Sequence, residues 1–199
     1  PVLIEYGRTG AFMEPVSVFR PISGKVLEEV VLSPEYNPST DELMRILNPL
    51  VEVLEYAHKS GVKPTVHRDI NPDNIMVNDE VFLIDWATST PTSGKTIMRT
   101  QFITPYFTAP EVFEGKAFDG RADIYSLGRV LQFMLLGNLF KHAEGKPTRN
   151  DFENLNIPME VVQILEKATS ENQDKRYKTA RDFYNSLESS LQTGRNLPA

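Results

Sequence analysis

Three observations in the sequence predict an α+β fold that is mainly α. An amphipathic pattern runs from Ser39 to Lys59, a largely apolar run covers Ile124–Leu136, and short β-branched stretches sit in pairs. The chain has 199 residues, 40% hydrophobic and 24% charged, which suits one well-buried domain. A formal net charge of −6 argues against a nucleic-acid or anionic-membrane partner. There are no cysteines, so disulfides, thiolate chemistry and Cys-ligated zinc are excluded, and 3 histidines leave little for a His-rich metal site. No apolar run approaches the ~20 residues that span a bilayer. Pro1–Arg8 lacks the basic run and apolar core of a leader, so a cytoplasmic protein is expected.

Taken in order, Val2–Tyr6 and Pro15–Phe19 read as two strands of a hairpin with Gly7–Gly10 as the turn. Lys25–Val31 reads as a short helix ended by Pro34–Pro38. In the helix of residues 39–59, Leu43, Ile46, Leu47, Leu50, Leu54 and Ala57 share one face. Ser39 with Glu42 predicts a capping box, Gly61 suits the C-terminal end, and Pro49 predicts a kink. Ile75–Val77 and Val81–Ile84 flank Asn78-Asp79-Glu80 as a tight hairpin. Thr88–Thr104 is polar and reads as a long loop. Ile124–Leu136 reads as a helix buried at the domain centre, and His142–Asn156 as irregular. Met159–Thr169 is amphipathic, and Thr179 with Asp182 caps a last helix that carries Phe183, Leu187 and Leu191.

The chemistry concentrates in His67-Arg68-Asp69-Ile70-Asn71-Pro72-Asp73-Asn74, followed by Leu83-Ile84-Asp85-Trp86. Two carboxylates and an amide in this pattern suit phosphoryl transfer: one acid orients a hydroxyl, and the other acid and the amide hold Mg²⁺ on nucleotide phosphates. Further along come Thr104-Pro105-Tyr106-Phe107-Thr108-Ala109-Pro110-Glu111, Asp123-Ile124-Tyr125-Ser126-Leu127-Gly128, and Gln173-Asp174-Lys175-Arg176-Tyr177. As a set, these stretches resemble the eukaryotic-type protein kinases over most of residues 39–190, and Thr104 resembles the Ser/Thr rather than the Tyr kinases.

The resemblance implies a kinase-like C-terminal lobe over 25–191, residual N-lobe strands and hinge over 1–24, and a tail over 192–199. It implies ATP and Mg²⁺ as cofactors and a protein Ser/Thr hydroxyl as acceptor. Asp69 would be the catalytic acid, with Asn74 and Asp85 on Mg²⁺. Val18, Phe19 and Pro21 would stand at the gatekeeper and hinge, with Met76 under the adenine and Val130 and Met134 behind it. His67 and Trp86 would stack in an apolar column. Arg68 would pair either with a phosphate on Thr96 or Thr100, or with a neighbouring acid. Glu111 would form a buried ion pair with Arg176, and Asp123 would hold the backbone around His67 and Arg68.

Departures from the pattern raise a second expectation. No G-x-G-x-x-G loop and no V-A-I-K-like lysine is found in the chain, and Pro21 lacks the N–H that one adenine hydrogen bond would use. Asn71 replaces a lysine, Trp86-Ala87 replace Phe-Gly, and Ile103 replaces a Gly. If each lost donor were worth ~2.7–4 kcal/mol, the rate would fall by many orders of magnitude. Weak catalysis is therefore expected unless a partner or upstream segment supplies an N-lobe, and a dimer is one way to cover apolar surface left open. A pseudokinase acting as a binding or scaffold module is the alternative. A small-molecule phosphotransferase of the aminoglycoside or choline kinase type shares H-x-D-x-x-x-x-N and Ile84-Asp85-Trp86, but lacks the Ala109-Pro110-Glu111 segment and Arg176.

Overall fold

The computed structural model describes the backbone of residues 3–9, 14–19 and 91, and side chains as well over 21–59, 64–90, 106–144 and 146–192. Strands β1 (Leu3–Thr9) and β2 (Glu14–Phe19) pair antiparallel, with Thr9 opposite Glu14. The hairpin pairs as expected, but Gly7, Arg8 and Thr9 are strand residues opposite Val16, Pro15 and Glu14 and not part of a turn; Gly10 lies outside the described residues. Two-residue β3 (Lys25–Val26) leads directly into α1 (Leu27–Val31), so the expected single helix is split. The split follows from pairing: Lys25 and Val26 lie opposite Val77 and Met76 of β5 (Ile75–Val77). Gly24 has φ +138 at this edge, and a Cβ there would lie 2.7 Å from the Val77 carbonyl oxygen. Only glycine tolerates both conditions.

Helix α2 (Thr40–Lys59) buries Leu43, Ile46, Leu47, Leu50, Leu54 and Ala57, the face read from the sequence. Each fully buried leucine contributes roughly 1.5–3 kcal/mol. The helix continues across Pro49, and Gly61 lies outside the described residues. Only half the capping box forms: the Glu42 amide donates to Ser39 Oγ at 3.3 Å, while the Glu42 carboxylate accepts from Arg45. β5 then pairs with β6 (Val81–Leu83) around Asn78–Glu80, giving a sheet in the order β3-β5-β6. Two-residue strands β4 (Thr65–Val66) and β7 (Thr90–Pro91) pair across the segment that contains both acidic motifs.

α3 (Pro110–Phe113) is followed by α4 (Arg121–Leu136), whose inner residues are almost all buried. The region 142–156 is not irregular: α5 (Asn138–His142) and α6 (Arg149–Glu153) flank and occupy it. Thr148 and Asp151 form a reciprocal capping box that starts α6. α7 (Met159–Ala168) and α8 (Ala180–Gln192) complete the fold, and the Asp182 amide donates to Thr179 Oγ1 at 3.0 Å. α4 packs on α7, α5 and α8, and α2 packs on α8, β4 and β6. The main core joins these helices, with Leu27, Ile46, Leu54, Ile124, Leu131, Phe133, Leu165 and Phe183 at its centre. This helical block is the platform on which the loop between β4 and β5 stands.

Candidate active site

The loop after β4 is held from below by a single acid. Asp123, in the first turn of α4, is fully buried and accepts three hydrogen bonds. They come from the His67 amide (2.9 Å), the Arg68 amide (2.9 Å) and His58 Nε2 (2.8 Å). Nothing in the sequence singles out His58, which reads there as one polar residue at the end of an amphipathic helix. Gly120 makes room for it, since a Cβ there would lie 2.7 Å from His58 Nδ1.

This anchorage lets Arg68 take φ 74, a left-handed conformation that costs a non-glycine residue about 1–3 kcal/mol. Asp85 has φ 57, so both unusual backbones of this region lie beside the two acidic motifs. The Asp85 side chain accepts from the Ala87 amide at 3.3 Å and caps the short turn Trp86–Thr88. His67 connects the two stretches. Its Nδ1 accepts from the Asp69 amide (3.3 Å) and its Nε2 donates to the Ile84 carbonyl (3.0 Å), which defines the neutral Nε2–H tautomer. Burial lowers the His67 pKa, in keeping with a neutral ring. Trp86 meets His67 edge-on at 4.6 Å, and Thr88 Oγ1 donates to the His67 carbonyl.

Asp69 and Asn74 are brought into direct contact. Asn74 Nδ2 donates to Asp69 Oδ2 (3.0 Å) and to the Asp69 carbonyl (2.8 Å). Asn71 Nδ2 donates to the other carboxylate oxygen, Oδ1, at 2.9 Å. Asn71 Oδ1 accepts from the Asp73 and Asn74 amides, so this one side chain caps the turn Pro72–Asn74 and orients Asp69. Asp85 follows Ile84, whose amide donates to the Asn74 carbonyl at 2.9 Å. With Nδ2 donating to Asp69, the Asn74 carboxamide oxygen is the end of this side chain not used in that contact. By residue type, the Asn74 carboxamide oxygen and the Asp85 carboxylate are the hard-oxygen donors that Mg²⁺ takes.

Arg68 is 5% exposed, and its Nε and Nη1 have no hydrogen-bond partner among the described residues. Its guanidinium lies 5.9 Å from the Phe118 ring centroid, and burial lowers its pKa. Thr96, Thr100, Ile103 and Thr104 lie outside the described residues, as do the side chains of Val18 and Phe19. Pro21 is exposed, and Met76 sits in β5 between Val26 and Phe82. Val130 and Met134 are buried in the core.

Glu111 and Arg176 form a fork-to-fork pair at 2.6 and 2.8 Å. Arg176 also donates to the carbonyls of Ser170, Arg121 and Glu171 and lies over the Tyr125 ring at 4.8 Å. Beside the Asp69 loop, a cavity of about 360 Å³ is lined by Asp73, Glu28, Tyr106, Phe107 and Phe140 among others. Asp73 is pushed up to about 6 by partial burial and by the neighbouring Glu28 carboxyl. Lys141, hydrogen-bonded to Glu28, holds the Glu28 carboxyl below its usual range.

Comparison with known proteins matches residues 12–195 to the protein kinase domain family. A probable serine/threonine-protein kinase of Clostridium perfringens is 30% identical over 182 residues, covering 84% of this chain and 26% of that protein. Serine/threonine-protein kinase PknB of Mycolicibacterium smegmatis is 26% identical, over 85% of this chain and 29% of its own length. PrkC of Bacillus subtilis is 29% identical, over 71% of this chain and 24% of its own length. The chain thus spans about a quarter of the length of these relatives. Among solved structures, the Mycobacterium tuberculosis PknI kinase domain superposes with a TM-score of 0.70 at 19% identity, covering 96% of this chain and 71% of that one.

Proposed function

The chain belongs to the protein kinase family, and from that premise we propose that it transfers the γ-phosphoryl group of ATP to a serine or threonine hydroxyl of a protein. The observation that carries this is the Asp69 carboxylate, held on both oxygens by the amides of Asn71 and Asn74. A carboxylate fixed this way is aligned before substrate arrives, which is the form of catalysis phosphoryl transfer uses. Asp69 accepts a hydrogen bond from the acceptor hydroxyl and aims its oxygen at the γ-phosphorus. The new O–P bond forms as the bond to the ADP oxygen breaks, and the hydroxyl proton leaves by way of Asp69. Asn74 and Asp85 would hold Mg²⁺, which would supply neutralisation of charge on the phosphate oxygens. Val18, Phe19, Pro21 and Met76 contact the adenine in this proposal.

Arg68 joins the proposal as a phosphate receptor. Residues 92–105 contain Thr92, Ser93, Thr96, Thr100 and Thr104 but no Asp or Glu, so they offer Arg68 a counter-ion only once phosphorylated. Thr96 and Thr100 are the proposed acceptors. One observation favours a second role as a pseudokinase binding module: Asn71 stands where a lysine would place a cation near the transferring phosphoryl group, and it is committed to capping and clamping.

Labelled ATP and Mg²⁺ decide between the two. A kinase puts phosphate on itself or on a basic acceptor protein, and Asp69→Asn lowers transfer by roughly a hundred- to ten-thousandfold. Nucleotide should still raise the melting temperature of that variant. Absence of transfer by the wild type, with nucleotide still stabilising it, would leave only the binding module.

A further inference from the structure

Helix α4 carries a buried cation in a run that reads as apolar. Arg129 is 8% exposed, and burial lowers its pKa. Among the described residues no carboxylate pairs with it. Its Nε donates to the Tyr106 carbonyl at 2.9 Å, and Nη1 donates to Gln132 Oε1 at 2.6 Å. The guanidinium lies 5.1 Å from the Phe140 ring centroid and 5.9 Å from that of Tyr125. Gln132 is itself buried, and its Nε2 reaches toward Thr169 Oγ1 at 3.5 Å, which donates to the Leu165 carbonyl at 2.8 Å. The two helices meet closely here, because a Cβ on Gly128 would lie 2.9 Å from Thr169 Cγ2.

Burying a guanidinium against neutral groups is unfavourable, and a methionine would fill the same slot without that penalty. What arginine adds is a charge-assisted hold on one backbone carbonyl. That carbonyl belongs to Tyr106, which with Phe107 lines the cavity beside Asp73. Phe107 stacks on Phe140 at 5.3 Å, so the ring under the guanidinium also supports the same wall. Asp73 stands in the loop that carries Asp69 and Asn74, so the cavity this wall bounds adjoins the loop of the proposed acceptor site.

We propose that Arg129 is a positioning residue for the protein substrate: it fixes the Tyr106–Ala109 segment as the wall against which residues flanking the acceptor hydroxyl rest. The proposal rests on the kinase function above. It assigns Arg129 to acceptor binding and not to nucleotide binding.

Two measurements on the full chain test it, with casein as the acceptor. Hydrogen exchange of R129M should quicken roughly tenfold over residues 106–109 while α7 and α8 keep wild-type rates. The factor is that of one lost charge-assisted hydrogen bond. The KM for casein should rise about tenfold, with KM for ATP and kcat within about twofold. R129K keeps the charge and one donor, and should recover most of both effects; if R129M does not fold, R129Q, which removes the charge but keeps a polar side chain, should show the same two changes. Unchanged exchange over 106–109, acceleration spread evenly through the helices, or equal rises in both KM values would overturn the proposal. A wild type that transfers nothing removes the kinase function instead, and exchange over 106–109 then still decides whether Arg129 holds the segment.

Discussion

Replacing Arg176 with methionine tests how the fold depends on its most deeply buried ion pair. The Arg176 side chain is fully buried and that of Glu111 is 8% exposed, so neither can turn to water when its partner goes. Removing one member of such a pair destabilises by about 3–5 kcal/mol, because a buried charge is left uncompensated. Arg176→Met also strips donors from the carbonyls of Ser170, Arg121 and Glu171, whereas Glu111→Gln keeps a neutral acceptor facing the guanidinium. The arginine variant should therefore lose more than the glutamate variant. For a chain of this size, about 3–5 kcal/mol lowers the melting temperature by roughly 6–20 °C. Thermal unfolding of both single variants and of Glu111→Gln/Arg176→Met gives the full cycle. The double variant should be more stable than Arg176→Met alone, since it buries no orphan charge. Single-variant losses below about 1 kcal/mol, or a double variant that loses the sum of the singles, would refute the assignment of a strongly coupled pair.

Other perturbations bear on the loop and its cavity. Asp123→Asn turns one of two acceptor oxygens into a donor beneath three N–H groups, and should lose at least about 3 kcal/mol in urea unfolding, with faster exchange at the His67 and Arg68 amides. Asp73 gives a pH signature. Its folded pKa, about 6, lies above its ordinary 3.8, so the folded state holds the proton longer and stability falls as pH rises between those values. Glu28, whose pKa is lowered from 4.5, acts in the opposite sense at more acidic pH, so the fall should be clearest between about pH 4.5 and 6. Asp73→Asn should flatten the urea midpoint across that window; an unaltered slope would place the titration elsewhere.

Much of the helical frame is legible in the sequence because its signals are local. The apolar face of α2 repeats at helical spacing and keeps its phase across Pro49, and the hairpin β5–β6 is bounded by a turn-forming Asn78. What resists reading is short or non-local. β3, β4 and β7 have two residues each and exist only because a distant strand lies alongside. α5 and α6 have five residues each, too few to show periodicity, although Thr148 and Asp151 carry the capping signal that could have located α6. At the site, residue types identify Asp69, Asn74 and Asp123, but nothing in the spacing marks His58 as the third donor to Asp123. Arg129 and Gln132 are hidden differently, since a polar pair inside an apolar run shows its purpose only when Tyr106 is placed beside it.

Asn71 separates two views of the site that the sequence alone cannot. Read as a substitution, it is a lost cation, and restoring lysine should raise phosphoryl transfer. Read in the structure, it performs two tasks lysine cannot combine. Its carbonyl oxygen accepts the Asp73 and Asn74 amides, and lysine has no acceptor; its amide orients Asp69 Oδ1. Asn71→Lys should thus lose about 1 kcal/mol of stability, the usual worth of a cap, and release Asn74 along with the turn. Lysine could still reach Asp69 with its ammonium, but a flexible point charge orients a carboxylate less well than a capped amide. We therefore expect Asn71→Lys to transfer phosphate no faster than wild type, and to melt lower. A gain of roughly tenfold or more in transfer at undiminished stability, about 1.4 kcal/mol off the barrier, would show that the cap is dispensable and that the missing charge is what limits this chain.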